Sequence, residues 1–129
     1  MKTTLLLLSF VLSQELFAME LRDKNVPVSG TPETIKALED AMTVYVFDPD
    51  QGSPSPVCVA DCAEKWPPVL VTAVEESQLA QLGLGTIKRK TGLIQLTYKG
   101  RPLYTFFADR LPVDAKGNGL GGVWHVVKP

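Results

Sequence analysis

The chain has 129 residues, with 13 basic and 14 acidic side chains, a formal net charge of −1, ten glycines, ten prolines and two cysteines. So near-neutral a balance carries no electrostatic footprint for nucleic acid or an anionic surface. Glycines and prolines scattered among short apolar runs favour many turns over long helices.

Lys2 makes the first segment positive, and Leu5 to Leu12 is apolar except for Ser9. That is the length of a secretory apolar region and too short to span a membrane. Residues 1–18 are therefore predicted to be a signal peptide cleaved after Ala18, which makes the protein exported, periplasmic or secreted. Neither cysteine follows the apolar run closely, so no lipid anchor is expected. The remaining 111 residues, 19–129, suffice for one domain but not for two independent cores.

The first module carries two conflicting signals. Thr31-Pro32-Glu33, followed by Ile35, Ala37 and Leu38, resembles a helix start with Thr as N-cap and Pro at the first helical position. A repeat argues otherwise. Tyr45-Val46-Phe47-Asp48-Pro49-Asp50 and Tyr104-Thr105-Phe106-Phe107-Ala108-Asp109 both read Tyr-x-Phe-x-x-Asp, 59 residues apart, and each precedes a lone tryptophan, Trp66 or Trp124, by 16 or 15 residues from the Asp. That likeness points to a duplicated module. Shifting by 59 lays Thr34–Leu38 on Leu93–Thr97 and Met42–Phe47 on Arg101–Phe106, which predicts a hairpin because β context overrides propensity.

Beyond Trp66, Glu75 to Leu82 reads as one or two helical turns linking the repeats and ended by Gly83. Strands are then predicted over 86–90, 93–98 and 101–107, with turns at Thr91-Gly92 and Lys99-Gly100. Leu93, Gln95 and Thr97 face one way, and Ile94, Leu96 and Tyr98 the other. Val123 to Val127 makes a last strand after Gly121-Gly122.

On a strand, Tyr and Phe two apart share a face, so each motif delivers two rings to one side, and the Asp falls where backbone N–H groups of the following turn can reach it. Tyr45, Phe47, Trp66, Tyr104, Phe106 and Trp124 are thus expected to build one shared aromatic core. The sharper alternative makes Tyr45, Tyr104, Trp66 and Trp124, with His125, the lining of a site for a flat ligand.

Cys58 and Cys62 are separated by three residues, a spacing that a tight or helical turn can bridge, and an exported protein favours the disulfide. A copper or zinc site made from both thiolates and His125 is the alternative, and redox chemistry on this pair is a further one. His125 should point away from Trp124 on its strand, and no partner for it stands out among Asp50, Asp109 and Asp114. Gly117 to Gly122 formally satisfies G-x-G-x-x-G, but it precedes a strand rather than a helix that could receive a pyrophosphate. Asp114 to Gly119 imitates a calcium loop, yet Lys116 stands at a ligand position. No catalytic residue and no cofactor is assigned.

Met42 to Asp50 leading into Cys58–Pro68, then Leu96–Tyr104, then Gly119–Val127 together resemble a family of secreted repeat proteins and bacterial lipoproteins described by a Tyr-x-aromatic-x-x-Asp motif. The resemblance implies an exported tandem-repeat domain and leaves its biochemical role open. The expectation is an all-β fold with minor helix: two hairpin-based repeats, about 33–72 and 84–128, sharing one core as a pseudo-twofold small sandwich or barrel. Its expected function is that of a non-enzymatic binding or interaction module of the bacterial cell envelope, with an envelope protein or small ligand as partner. The alternative function is a small metal- or redox-active envelope protein using Cys58, Cys62 and His125.

Overall fold

The computed structural model describes residues 20–129, so the signal peptide predicted at 1–18 lies outside the described residues. Short strands dominate: β1 (Arg22–Val28), β2 (Thr31–Ala37), β3 (Tyr45–Phe47), β4 (Leu70–Val71), β5 (Leu84–Lys88), β6 (Ile94–Tyr98), β7 (Arg101–Pro102) and β8 (Trp124–Val126). Helix is confined to α1 (Asp61–Lys65), α2 (Ala73–Glu76) and 3-10 turns at Asp48–Asp50, Leu79–Leu82 and Leu120–Gly122. The strands pair as β1–β2, β3–β8 and β4–β6–β5, with β7 added on β6, and no closed barrel forms among the described residues. The all-β expectation holds, as a sandwich-like fold of several small sheets.

Thr31–Ala37 is a strand, not the helix its Thr-Pro start suggests. It turns back at Leu38–Met42 to bridge Ala37 with Thr43, which gives the predicted hairpin. The register differs from the prediction by one residue. Ala37 sits opposite Thr43, whereas Thr97 sits opposite Pro102, so the first turn holds one residue more than the second. Ala41, at φ 71°, absorbs that extra residue in the left-handed region. Ile35 and Ala37 therefore match the buried Gln95 and Thr97, not Ile94 and Leu96.

β1 has no counterpart among the predicted elements. It pairs along its whole length with β2 through a two-residue turn, Ser29-Gly30, in which both residues have positive φ, as a tight hairpin of this hand requires. Val26 and Val28 alternate with exposed neighbours and enter the core beside Ile35.

The linker reads as predicted, with a start two residues earlier. Thr72 caps α2 through Glu75 N, Glu75 returns a bond to Thr72 N, and Gly83, at φ 74°, ends the following 3-10 turn.

Alternation along the central strands divides the interior into two clusters. Tyr45 and Tyr104 point into one with Cys58, Trp66 and Trp124; Val44, Val46 and Leu103 point into the other with Val69, Val71, Leu79, Leu96 and Val127. β6 is buried on both faces, so its polar Gln95 is enclosed as fully as Leu96.

Candidate functional site

The two motifs meet at the centre of the molecule. Tyr45 N donates to Tyr104 O at 2.8 Å and Tyr104 N returns a bond to Tyr45 O at 3.0 Å, so the two tyrosines face each other directly across the repeat boundary. Their side chains then cross over. Tyr45 Oη donates to Asp109 Oδ2 at 2.6 Å, and Tyr104 Oη donates to Asp50 Oδ2 at 2.7 Å. Each motif's tyrosine is held by the other motif's aspartate. The second oxygen of each carboxylate takes the turn N–H expected of it, Val57 N to Asp50 Oδ1 at 2.8 Å and Lys116 N to Asp109 Oδ1 at 2.9 Å, seven residues on in both cases.

Burial foremost, then the bond to aspartate, pushes both tyrosine hydroxyls well above the ordinary tyrosine range; a bond from Gly117 N opposes this at Tyr45, and Arg89 opposes it at Tyr104. Such phenols stay neutral and donate. They are structural donors.

The phenylalanines stack in the same crossed manner, each on the other repeat's tryptophan, while each tyrosine meets the tryptophan of its own repeat. Trp66 and Trp124 stack at 3.7 Å with an interplanar angle of 2°, Phe47 stacks on Trp124 at 4.1 Å, and Phe106 lies on Trp66 at 4.3 Å. Tyr45 meets Trp66 edge-on at 5.3 Å, and Tyr104 meets Trp124 likewise at 5.2 Å. The edge-on contacts of the two tyrosines add stability beyond the buried area. Gly117 closes the layer: a Cβ there would lie 2.6 Å from Trp66 Cη2, so the glycine loop needs a bare backbone at this point. Asn118 Oδ1 accepts from Val126 N at 3.0 Å, tying that loop to β8.

Cys58 and Cys62 form a disulfide across the start of α1, with Cα atoms 5.2 Å apart. His125 is elsewhere. It projects from β8 on the face opposite Trp124, and its Nε2 lies 2.9 Å from Asp48 Oδ2, so its partner is none of the three acids considered from sequence. Cys58, Cys62 and His125 are thus not assembled into one site, and among the described residues no group of three or more His, Cys, Asp or Glu side chains is arranged to hold a metal ion.

Two cations, buried Arg89 and half-buried Lys24, carry no sign of their roles in the sequence. Arg89 is 7% exposed and donates to Gln95 Oε1 and to Cys58 O, both at 2.7 Å, while Gln95 Nε2 donates to Leu103 O at 2.8 Å. Lys24, from the unpredicted β1, donates to Ala41 O and Pro112 O. Desolvation lowers its pKa, opposed by Asp109 and Asp114. A basic residue beside a turn gives no local sign that the turn will be folded over it.

Two open clefts reach the surface with different chemistry. One is apolar: Phe106, Phe107, Leu120 and Val123 surround the edges of Trp66 and Trp124, and Phe107 and Leu120 are 59% and 44% exposed. The other is basic, with Lys99, Arg101, His125 and Lys128 around Val46, Tyr98, Val126 and Val127. Of the five residues considered for a ligand, Trp66 and Trp124 edge the first cleft and His125 lines the second. Tyr45 and Tyr104 have no exposed surface and line neither.

A family model described as a secreted repeat of unknown function matches residues 39–70 and 85–128, one stretch on each half of the crossed core. No curated protein and no solved structure matches the chain.

Proposed function

Because the chain belongs to this family of secreted repeats of unknown function, we propose that it acts as a non-enzymatic binding module exported to the bacterial cell envelope, in the periplasm or beyond it. The observation that carries this reading is the apolar cleft beside the tryptophan pair. Phe107 and Leu120 expose large apolar surfaces next to a rigid stacked core, and neighbouring exposed apolar side chains on a small domain mark contact surfaces. The motif's own polar groups are already paired inside. What remains for recognition is therefore on the surface.

A rigid aromatic floor loses little entropy on binding, which suits it to a protein segment or a small apolar ligand of the envelope. The test is a photo-crosslinking amino acid placed at Phe107 in the producing cell. A defined adduct that disappears when Leu120→Asp is added supports the reading. Absence of any adduct at Phe107, or one indifferent to Leu120→Asp, counts against it.

A further inference from the structure

The basic cleft shares no lining residue with the apolar one and has its own chemistry. It encloses about 260 Å³ between the β6–β7 turn and the end of β8. Lys36 and Lys99 both place their ammonium groups 5.3 Å from the Tyr98 ring centroid, from β2 and from the β6–β7 turn. Arg101, His125 and Lys128 complete the rim.

Three carboxylates answer the four permanent cations and the histidine. Asp48 serves both His125 at 2.9 Å and Arg101 at 3.5 Å, Glu33 serves Lys128 at 2.7 Å, and Asp23 serves Lys36 at 2.7 Å. Lys99 has no ion pair among the described residues, and Arg101 Nε is buried without a hydrogen-bond partner. On a chain of net charge −1, this is a local concentration of cationic donors with an apolar floor.

We propose that this cleft binds a phosphate monoester carried on an apolar body. A carboxylate offers two acceptor oxygens and one charge, whereas a phosphate monoester offers three and up to twice the charge, which matches a rim of Lys99, Lys128, the Arg101 fork and His125. Tyr98, Val46, Val126 and Val127 give the ester's apolar body a surface to lie on. A soluble monoester and the monoester headgroup of phosphatidic acid present the same chemistry.

The test is an amide-resolved NMR titration of the purified protein with phenyl phosphate. Saturable shifts at Tyr98, Lys99, Arg101 and His125 are expected, weakened about tenfold or more in the double variant Lys99→Gln, Lys128→Gln. Both lysines are exposed, so that variant should keep the wild-type melting temperature. Vesicles containing phosphatidic acid that displace phenyl phosphate identify a lipid headgroup as the occupant; failure to displace it identifies a soluble monoester. No saturable shift, or shifts unchanged in the double variant, would overturn the proposal.

Discussion

Tyr45 of the first repeat donates its hydroxyl hydrogen bond to Asp109 of the second across 64 residues of sequence, at 2.6 Å. The reciprocal bond from Tyr104 to Asp50, at 2.7 Å, means that neither repeat contains a satisfied motif of its own. Buried donors and acceptors are costly when unpaired, so each half depends on the other to hide its aspartate. The Tyr-x-Phe-x-x-Asp pattern is therefore an interlock between two halves.

The neutral, buried phenols make an alkaline prediction. Their folded pKa values are raised, so the stability they confer is complete below the unfolded tyrosine value of about 10 and is lost as pH rises above it. In a spectrophotometric titration, Tyr45 and Tyr104 should ionise only together with unfolding. The corresponding absorbance step should shrink in Tyr45→Phe and in Tyr104→Phe.

At the centre of the ring stack, Gly117→Ala would bring a methyl group to 2.6 and 2.8 Å from two Trp66 ring carbons and 3.1 Å from Phe106. Neither ring can yield without disturbing the Trp66–Trp124 stack. The expected cost is about 1–3 kcal/mol in denaturant unfolding, with an altered near-ultraviolet tryptophan signal.

The disulfide closes a very short loop, so loop entropy limits its contribution to about 2 kcal/mol. The paired change Cys58→Ala, Cys62→Ala should lower the unfolding free energy by about that amount while leaving one cooperative transition. A collapse of the whole fold on reduction would show that the bridge does more than fix the approach to α1.

On the acid side, the hydrogen bond from His125, and then the charges of His125 and Arg101, hold the Asp48 carboxylate below its usual range. A depressed folded pKa gives stability that is complete above the ordinary aspartate value, about 4, and is lost as pH falls through the lowered one. His125→Ala should therefore lose less of its urea midpoint than the wild type does as pH falls below about 4. Asp114, held down chiefly by the N–H groups of Arg110 and Leu111, should make Asp114→Asn behave in the same direction.

The linking helical turns and the Cys58–Cys62 bridge were legible from local spacing, and the hairpin at Thr34–Phe47 from the 59-residue repeat, against the helix that its local residues suggest. The crossing of the tyrosines was not. Spacing places a tyrosine and an aspartate on one strand end, but it does not say whether they serve each other or their duplicates. β1 was hidden because Pro27 and Pro32 weaken a strand reading, and in the fold these two prolines face each other at one register position near the hairpin turn. Asp48 went unnoticed as the partner of His125 because the bond exists only once β3 pairs with β8. Alternation in the meander does not say that both faces of β6 are covered, so it gives no sign that Gln95 and the Arg89 bonded to it are buried.

The most direct test of the interlock is equilibrium unfolding of Tyr45→Phe, Tyr104→Phe and the double variant, each of which removes a hydroxyl and leaves its ring. Each single change should cost about 1.5–3 kcal/mol, as expected when a buried charged group loses a hydrogen bond. The double variant should be less stable than either single one. Wild-type midpoints in all three variants would contradict the account and would free those hydroxyls for another role.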